Sequence, residues 1–524
     1  MDAVATLPEL VVEVESRALS RELQQALGEI VVSQQLSQPS QCELTFFDLP
    51  VNASIDELVP GRSVVVRGPG LEATLFDGQV TAVNDRYGPD QGRELRIRCY
   101  DRLHRLRKRQ PVRAHDEQTL AELAEALVAE LGLRVEAADA GPATRWRVQH
   151  DRSDLALLQN ATERCGYYFF LHAGALQLFT LAGRDDEPVE LAWGDALAEV
   201  VVDVNSDRSC RVVEALAWDP WRAALCSGAA DAVRSGRETM AEAAPGSVGG
   251  DDRRTLAGLS AQDASGAEAL AQGELDRRHA NEVALSGVAL GHAGLRPGIP
   301  VRIAGLAESV NGRYVLTRAV HRVDRRRGYL TEIDTSVTLP EQSAAPAGMT
   351  FGIVTDIEDP QALGRVRVTL PGYADADSLW LQVLHPGAGA DKGLVAMPDV
   401  DDRVLILFAD NDPTQGVVLG GLYGETEPPD SAGIDGGRVE RFLFVTPGGQ
   451  RLTLDDDRRR VRVENNGGEF LELAPDRVRA GNSDGSFIEL ASSRVRLHAE
   501  ADLEIEAPGK AVTIRGKSID FESA

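Results

Sequence analysis

Short runs of alternating apolar and polar residues recur at a fixed spacing from about residue 441 to residue 524. Four valines are evenly spaced along this stretch, each in a run of period two: Val461, Val478, Val495 and Val512. A second apolar series precedes them: Leu452, Leu471, Ile488 and Leu503. Gly, Pro and Asn residues separate the runs. Alternation interrupted by turn residues indicates strands, and self-similarity at a fixed period indicates a repeat architecture.

A strand in which every second residue is apolar can bury only one of its faces. The stretch contains no helical pattern that would cover this face, so we expect another copy of the chain to cover it. Identical chains that wind together also leave no open sheet edge. The pattern therefore predicts an intertwined, multi-chain β-helix whose core consists of the eight residues above. A monomeric β-domain of repeated hairpins is the alternative that periodicity alone leaves open.

The length of 524 residues predicts three or four domains, because a single core does not grow to this size. Aromatic residues make up only 5% of the chain, and there are 50 glycines. This composition is typical of many short strands joined by turns. The sequence therefore predicts a mainly β protein with a few helices.

The formal net charge is −27. An acidic surface disfavours the neutralisation of phosphates, so nucleic acid is excluded as a partner, and only transient contact with a membrane is expected. One basic segment, Arg102–Arg109, interrupts this pattern. It has no interleaved aromatic residues, and we interpret it as a solvated or interface-facing turn.

Five scattered cysteines, without a C-x-x-C pair, indicate free thiols in a protein made in the cytoplasm. The first residues lack the basic and apolar regions of a secretory signal peptide. No apolar run in the sequence is long enough for a transmembrane helix. If the protein acts outside the cell, it is expected to leave by a route other than general secretion.

Residues 1 to about 110 read as strands, and two helical patterns follow. Leu120, Leu123, Leu127 and Leu131 repeat at helical spacing, with Asp116 as the expected cap and Gly132 as the stop. Ser153 is expected to cap a second helix that ends at Gly166. A further helix is predicted over 267–280, after a polar segment at 242–265 that reads as a loop, and strands return over 282–338.

Two motifs in this part resemble the tail-hub domain of contractile phages and of VgrG spike proteins. The first runs from His150 to Phe170 and contains Arg164-Cys165-Gly166-Tyr167, similar to the family's turn from a helix into a strand. The second lies in residues 295–321 and begins with Leu-Arg-Pro-Gly. The resemblance covers about residues 5–340. It implies two barrels of the tail-tube type per chain, so that three chains mimic a six-fold ring.

Residues 350–424 resemble the OB-fold of VgrG and phage spike proteins. The matching segments begin with Phe351-Gly352-Ile353-Val354, continue through Leu379-Trp380-Leu381, and close with Gly420-Gly421-Leu422-Tyr423. About five short strands with Gly and Pro turns are also what a small closed barrel needs. The family's usual glycine in one turn is replaced here by Asp401-Asp402.

The resemblance, in the family's own order, divides the chain into four parts. Residues 1–345 form a tail-hub-like region of two β-barrels with a helical insertion near 116–166. Residues 346–426 form the OB-fold domain, residues 427–440 a linker, and residues 441–524 an intertwined, triple-stranded, trimeric β-helix. Some phage spikes carry a lysozyme-like domain where this chain has its short linker, and the linker is too short to hold one.

No catalytic, cofactor or metal site is predicted. Asp410-Asn411-Asp412 and the pair Asp375/Asp377 lack the glycine and distal glutamate of a calcium loop, so they read as acidic turns. His104, His150, His292 and His321 form no pair at helical metal-binding spacing and are interpreted as structural or interface residues.

The resemblance implies a VgrG-like, homotrimeric central spike of a bacterial contractile injection system. Its implied partners are the inner tube protein, a baseplate hub protein and a PAAR-type tip protein near Phe521, and effector cargo is compatible with it. The expected place of action is a phage-tail-like particle, and an extracellular particle and a type VI secretion system both fit. An envelope-degrading enzyme and a host-binding trimeric adhesin or tail fibre are the alternative functions.

Overall fold

The computed structural model describes residues 10–50, 53–68, 74–88, 92–150, 152–207, 209–219, 224–249, 251–259, 261, 263–338, 348–373, 375–409, 415–423, 427–430, 433–434 and 436–522. The chain divides into two compact units, Met1–Leu422 and Tyr423–Ala524. Both units are built mainly of strands, as the sequence predicts.

The first β unit spans residues 10–100 and has a continuous apolar core. Its strands alternate buried and exposed residues, so one face of each strand contributes to this core. Leu44, Phe46 and Ile97 are completely buried there. The strands are Val11–Val14, Arg17–Ala18, Leu27–Gln35, Gln41–Phe46, Ser63–Arg67, Thr74–Gly88 and Gly92–Tyr100, with helices at Arg21–Ala26 and Asp56–Leu58.

The basic segment forms a short 3₁₀ helix, Arg102–Lys108, capped by the carboxylate of Asp101. Leu103, His104 and Leu106 are buried, whereas the other side chains of this helix, all basic, are exposed. Arg109, the last residue of the basic run, pairs at 2.9 Å with the buried carboxylate of Asp154. The segment predicted as a turn is thus a short helix with a solvated basic surface.

A helical insertion follows, packed around Leu123, Leu127 and Leu158. Its strands are Arg113–Thr119, Arg134–Ala137, Ala143–Gln149, Tyr167–His172 and Ala175–Thr180, and its helices are Leu120–Val128, Ala129–Leu131 and Asp154–Arg164.

The prediction that Asp116 caps the first of these helices is wrong. Asp116 lies in a strand, and Thr119 and Glu122 form a reciprocal capping box instead, because they stand three residues apart at the true helix start. Gly132 ends the helical segment in the left-handed conformation, with φ of 66°. Ser153 caps the second helix as predicted.

The second β unit has its own core around Leu285, Val301 and Leu316. Its strands are Val189–Ala192, Leu197–Val204, Glu238–Thr239, Val283–Leu290, Pro300–Ala304, Gly312–Val315, Arg318–Asp324 and Gly328–Asp334, with a short helix at Glu308–Val310.

Between the strands Leu197–Val204 and Val283–Leu290 the chain forms an inserted layer. The layer contains the strands Val212–Asp219, Ala224–Ala230 and Arg253–Leu259 with the helices Pro245–Val248 and Ala264–Ala280. The helix predicted over 267–280 is therefore present. The loop predicted over 242–265 is wrong in part, because Arg253–Leu259 gains a partner distant in sequence, Val212–Asp219.

Four strands of each β unit follow the same spatial order, which reveals an internal duplication. In the first β unit the order is Leu27–Gln35, Gln41–Phe46, Gly92–Tyr100, Thr74–Gly88, and in the second it is Leu197–Val204, Val283–Leu290, Gly328–Asp334, Arg318–Asp324. The first strand of each set carries a bulge at the same place, between Leu27 and Glu29 and between Leu197 and Glu199. We call these sets the first and second four-strand blocks.

The OB domain is a closed barrel. Gly348–Asp356 pairs on one side with Arg403–Phe408 and on the other with Arg365–Leu370, which closes the sheet. The remaining strands are Ala376–Asp377, Leu381–Val383 and Gly416–Leu422, and a short helix spans Pro371–Tyr373. Asp401 occupies the turn where the family has glycine, and its φ of 72° is left-handed. Aspartate tolerates this conformation better than most residues, so the turn survives the substitution.

The second unit contains an antiparallel sheet of seven short strands, which we call the repeat sheet. Each strand pairs with the next in sequence: Arg441–Val445, Arg451–Asp455, Arg460–Glu464, Phe470–Ala474, Arg477–Gly481, Phe487–Ala491 and Val495–His498. Residues 499–522 contain no assigned strand, so the strands predicted at Leu503 and Val512 are not formed in the single chain. A strand requires a paired neighbour, and no described residue pairs with this segment on the free side of Val495–His498.

Substitution of Asp359 by asparagine is expected to destabilise the OB domain by about 3 kcal/mol, because it removes one member of a buried ion pair. Asp359 accepts hydrogen bonds from Arg365 Nη2 at 2.7 Å and Nε at 2.9 Å. These bonds hold the pKa of Asp359 well below its usual range. Urea unfolding of Asp359→Asn should show the loss, and Glu358→Gln on the exposed neighbouring carboxylate should stay within about 0.5 kcal/mol of the parent. Equal stability of all three proteins would contradict the assignment.

Candidate functional site

One face of the repeat sheet is entirely apolar and is uncovered in the single chain. Two side chains per strand project from it: Phe442, Phe444, Leu452, Leu454, Val461, Val463, Leu471, Leu473, Val478, Ala480, Ile488, Leu490, Val495 and Leu497. Their exposed fractions reach 72% at Val495. A contiguous apolar surface of this kind marks a site of association.

Six of the eight predicted core residues lie on this face: Leu452, Val461, Leu471, Val478, Ile488 and Val495. The register brings the two apolar series together, since Leu473 stands opposite both Val461 and Val478. Leu503 and Val512 lie beyond the last strand and are exposed. The inward packing of all eight residues stays a prediction.

The opposite face carries a central row of alternating charges. Along the strand register the row runs Arg462, Glu472, Arg479, Glu489 and Arg496. Each charge therefore has an opposite charge as its direct neighbour across the sheet, the arrangement that stabilises cross-strand pairs. The sheet is thus strongly two-sided, with one apolar and one charged face.

Glu472 is the centre of this charged row, and its side chain is nearly buried. It accepts hydrogen bonds from Arg462 at 3.2 Å, Arg477 at 3.2 Å and Arg460 at 3.4 Å. Burial acts to raise its pKa, but the three guanidinium groups outweigh burial, and the pKa of Glu472 is lowered. Its carboxylate is consequently ionised at neutral pH.

Aromatic rings cover the arginines of the charged row. The Arg462 guanidinium lies 4.0 Å from the Phe470 ring centroid, and Arg479 lies 3.9 Å from that of Phe487. Both pairs repeat at the spacing of the valines, so the sequence contains a repeat signal that the apolar positions alone do not show. Cation–π contacts of this type hold long side chains flat against the sheet.

Two turns of the repeat sheet are built by asparagines that recur at the same spacing as the valines. Asn465 Oδ1 accepts from the backbone N–H groups of Gly467 and Glu469, and Asn482 Oδ1 accepts from that of Ser486. Side-chain caps of this kind fix tight turns locally. The repeat therefore specifies strands and turns together.

The remaining residues singled out in the sequence do not form a reactive cluster. His104 and His321 are buried, and burial lowers their pKa values to about 4 and about 3. His150 packs edge-on against Tyr373, and His292 Nδ1 accepts from the N–H of Gly294 at 3.1 Å.

Among the described residues, the predicted acidic turns have structural roles. Asp377 accepts a hydrogen bond from Thr369, and Asp375 adopts a left-handed turn conformation with φ of 57°. Asp410, Asn411 and Asp412 lie outside the described residues. In the described part of the chain, no group of His, Cys, Asp and Glu residues could hold a metal ion. Nor does any helix there have the length and apolar character needed to span a membrane.

Comparison with known proteins first identifies the class of fold to which the chain is similar. Residues 350–423 match the family model of the Type VI secretion system/phage-baseplate injector OB domain. A chain of the Francisella PdpA–VgrG complex in its half-lidded state is similar, with a TM-score of 0.52 at 9% identity, over 93% of this chain and 87% of that one. The protein thus has a VgrG-like fold with an injector-type OB domain.

Two further solved structures resemble shorter parts of the chain. The 43 kDa tail protein of prophage MuSo2 from Shewanella oneidensis has a TM-score of 0.48 at 15% identity, over 62% of this chain and 97% of that one. The E. coli c3393 protein, a component of the type VI secretion system, has a TM-score of 0.49 at 15% identity, over 76% of this chain and 96% of that one.

More specifically, residues 4–325 match the family model of the Alg8 N-terminal domain. This match spans more than half of the chain. The protein belongs to the Alg8 N-terminal domain family.

Substitution of Glu472 by glutamine is expected to destabilise the repeat sheet by about 2 kcal/mol at neutral pH, because hydrogen bonds to a charged acceptor are lost. Since the pKa of Glu472 is lowered, its stabilisation is fully present above the ordinary glutamate pKa and is lost as pH falls through the lowered value. Hydrogen exchange of the Phe470–Ala474 amides, measured at neutral and acid pH, should show a difference that disappears in acid.

Glu489 provides the matched control, because it occupies the equivalent position of the next repeat but has no hydrogen bond or ion pair with another described residue. Glu489→Gln should change exchange less than Glu472→Gln. If the two substitutions had equal effects, the arginine cluster around Glu472 would not be a stabilising feature.

Proposed function

We propose that this protein is the homotrimeric central spike of a bacterial contractile injection system, which caps the inner tube and is driven mechanically through a target envelope. The observation that carries the proposal is the uncovered apolar face of the repeat sheet, in a chain that also contains an injector-type OB domain. A spike needs a rigid rod behind its tip, and the repeat sheet has the two-sided pattern of such a rod.

Association of three copies would bury the apolar face. Each strand contributes two apolar side chains, and burial of apolar surface is worth about 25 cal/mol per Å². Three sheets with their apolar faces inward form a closed core, and the row from Arg462 to Arg496 remains in solvent. The copy number of three rests on the resemblance to VgrG proteins.

The chemistry of the rod suits mechanical work. Every strand from Arg441–Val445 to Val495–His498 is hydrogen bonded to the next one in sequence, so an axial load is shared among many short ladders. The alternating charges and the Arg–Phe contacts brace the outer surface. We infer that transient contact with the target membrane is a consequence of penetration.

The proposed partners follow from the same role. The hub region would bind the inner tube protein and a baseplate hub protein, and a PAAR-type protein would cover the tip near Phe521, a residue that is 91% exposed. Effector cargo is compatible with this arrangement. The protein would be assembled in the cytoplasm and act in a phage-tail-like particle.

Substitution of Val478 by aspartate is expected to abolish trimerisation of the rod. Val478 stands opposite Leu473 and Leu490 in the middle of the apolar face, so three carboxylates would be buried near one another. An unpaired buried charge costs several kcal/mol, on the order of 3–5. Light scattering after heating should give the mass of three chains for the parent protein and a lower mass for Val478→Asp.

Ser483→Asp introduces the same charge in an exposed turn and serves as the control for Val478→Asp. It should remain a heat-resistant trimer. A Val478→Asp protein that is equally heat resistant would show that Val478 does not face the core.

The proposal also includes the absence of enzymatic activity. In a zymogram containing peptidoglycan, we expect no clearing by the purified trimer, with lysozyme as the positive control. Clearing that persists after removal of contaminating hydrolases would favour an envelope-degrading enzyme instead.

A further inference from the structure

Two of the cysteines stand directly opposite each other in the core of the first β unit. Cys42, in the strand Gln41–Phe46, is paired in register with Cys99, in the strand Gly92–Tyr100. Directly opposed residues of an antiparallel pair project from the same face of the sheet. Both residues are completely buried, and both are free thiols in the structure. The fold thus places two thiols side by side on the two middle strands of the first four-strand block.

The hydrogen bonding beside the cysteines sets the distance between their backbones. The N–H of Asp101 donates to the carbonyl oxygen of Ser40 at 3.0 Å, which makes these two residues a hydrogen-bonded pair of the antiparallel ladder. Such pairs recur at every second residue, so Cys42 and Cys99 form the next one. Their Cα atoms are therefore about 5.5 Å apart, a separation that is common among disulfides.

The two thiols lie in apolar surroundings. Val32 stands opposite Cys42 on the strand before it, and Val80 stands opposite Cys99 on the strand after it. Both valines are buried in the same core as the cysteines. Burial raises the pKa of Cys99 to about 12 and raises the pKa of Cys42 well above its usual value. The thiols are therefore protonated at neutral pH, and their oxidation is expected to be slow.

The second four-strand block shows that packing at this place does not require cysteines. The shared bulge makes Leu285 the equivalent of Cys42. Counting from the hairpin that joins the last two strands of each block makes Thr335 the equivalent of Cys99. The N–H of Thr335 donates to the carbonyl oxygen of Leu285 at 2.9 Å, so the equivalent residues also form a hydrogen-bonded pair. A leucine and a threonine thus fill the position that two thiols fill in the first block.

We propose that Cys42 and Cys99 are a modification site, at which hydrogen peroxide oxidises the two thiols to an internal disulfide bond. The bond would join the two middle strands of the first four-strand block covalently. It would form within one chain, whatever the copy number of the protein. Under reducing conditions the two thiols would be regenerated.

Hydrogen peroxide balances the reaction. The sulfur of one cysteine attacks a peroxide oxygen and the O–O bond breaks, which gives a sulfenic acid and one molecule of water that contains the proton of the thiol. The sulfur of the second cysteine then attacks the sulfenic sulfur. The S–S bond forms, the S–O bond breaks, and the hydroxyl group leaves as water with the proton of the second thiol. The two sulfur atoms lose two electrons in total, and the peroxide is reduced to water.

Peptide mass spectrometry of the full chain tests the proposal. The folded protein is treated with hydrogen peroxide at mildly alkaline pH, which increases the thiolate fraction of both cysteines. Remaining thiols are alkylated in denaturant, and trypsin then places the two cysteines in the peptides 22–62 and 99–102. We expect these peptides to be joined, with the loss of two hydrogen atoms, and to be separated by dithiothreitol.

Two variants control the experiment. Cys210→Ser is the matched control, because Cys210 is also buried but lies in the core of the inserted layer, and it should give the same joined peptides. Cys99→Ser removes one member of the pair and should give none. Linkage of Cys42 to any cysteine other than Cys99 would overturn the proposal. Two unlinked cysteines in the folded protein, under conditions in which the denatured chain forms disulfides, would also overturn it.

Thermal unfolding provides a second measurement. A disulfide that closes a long loop stabilises a protein mainly by restricting its unfolded chain. The melting temperature of the oxidised protein should therefore exceed that of the reduced protein by about 5 °C. Peroxide should not raise the melting temperature of Cys99→Ser, which also controls for the oxidation of methionines. An equal rise in Cys99→Ser would contradict a stabilising bond between the two strands.

Discussion

The structure of this protein depends on an apolar sheet face that its own chain cannot cover. The strands of the repeat sheet are only four or five residues long, so each provides two side chains to the face, and most of these side chains are exposed. Two side chains per strand are too few for an independent core, but stacked over seven strands they form a continuous stripe. The charged opposite face, with Glu472 bonded to three arginines, fixes which side of the sheet remains in water.

The alternation of the sequence was sufficient to predict this two-sided sheet, because side-chain direction in a strand follows directly from residue parity. It placed Val461, Val478 and Val495 on one face together with Leu471 and Ile488, as the structure does. Residue parity does not determine whether a strand has a partner. The runs at Leu503 and Val512 are therefore predicted as strands, but they are not paired in the single chain. For the same reason local pattern predicts a loop at Arg253–Leu259, because the partner strand Val212–Asp219 is distant in sequence.

The duplication of the four-strand blocks could not be derived from the residues alone, although the resemblance to hub proteins implied two barrels. A long insertion separates Leu197–Val204 from Val283–Leu290, whereas the equivalent strands Leu27–Gln35 and Gln41–Phe46 form a simple hairpin. Only the spatial order and the shared bulge expose the relationship. The start of the helix at Thr119, in contrast, has a local signal in the sequence. The pattern Thr-x-x-Glu forms a capping box there, and Asp116 does not cap the helix.

In the proposed trimer, strand edges and apolar faces would contribute different things to association. A free strand edge offers backbone hydrogen bonds, which fix register but add little net free energy because the same groups bond to water in the separated chains. The apolar face offers burial, which is strong but has no direction. Formation of the proposed trimer must also overcome the repulsion among chains that each carry a charge of −27. In the proposed trimer, burial of the apolar face of the repeat sheet is the term large enough to offset that repulsion.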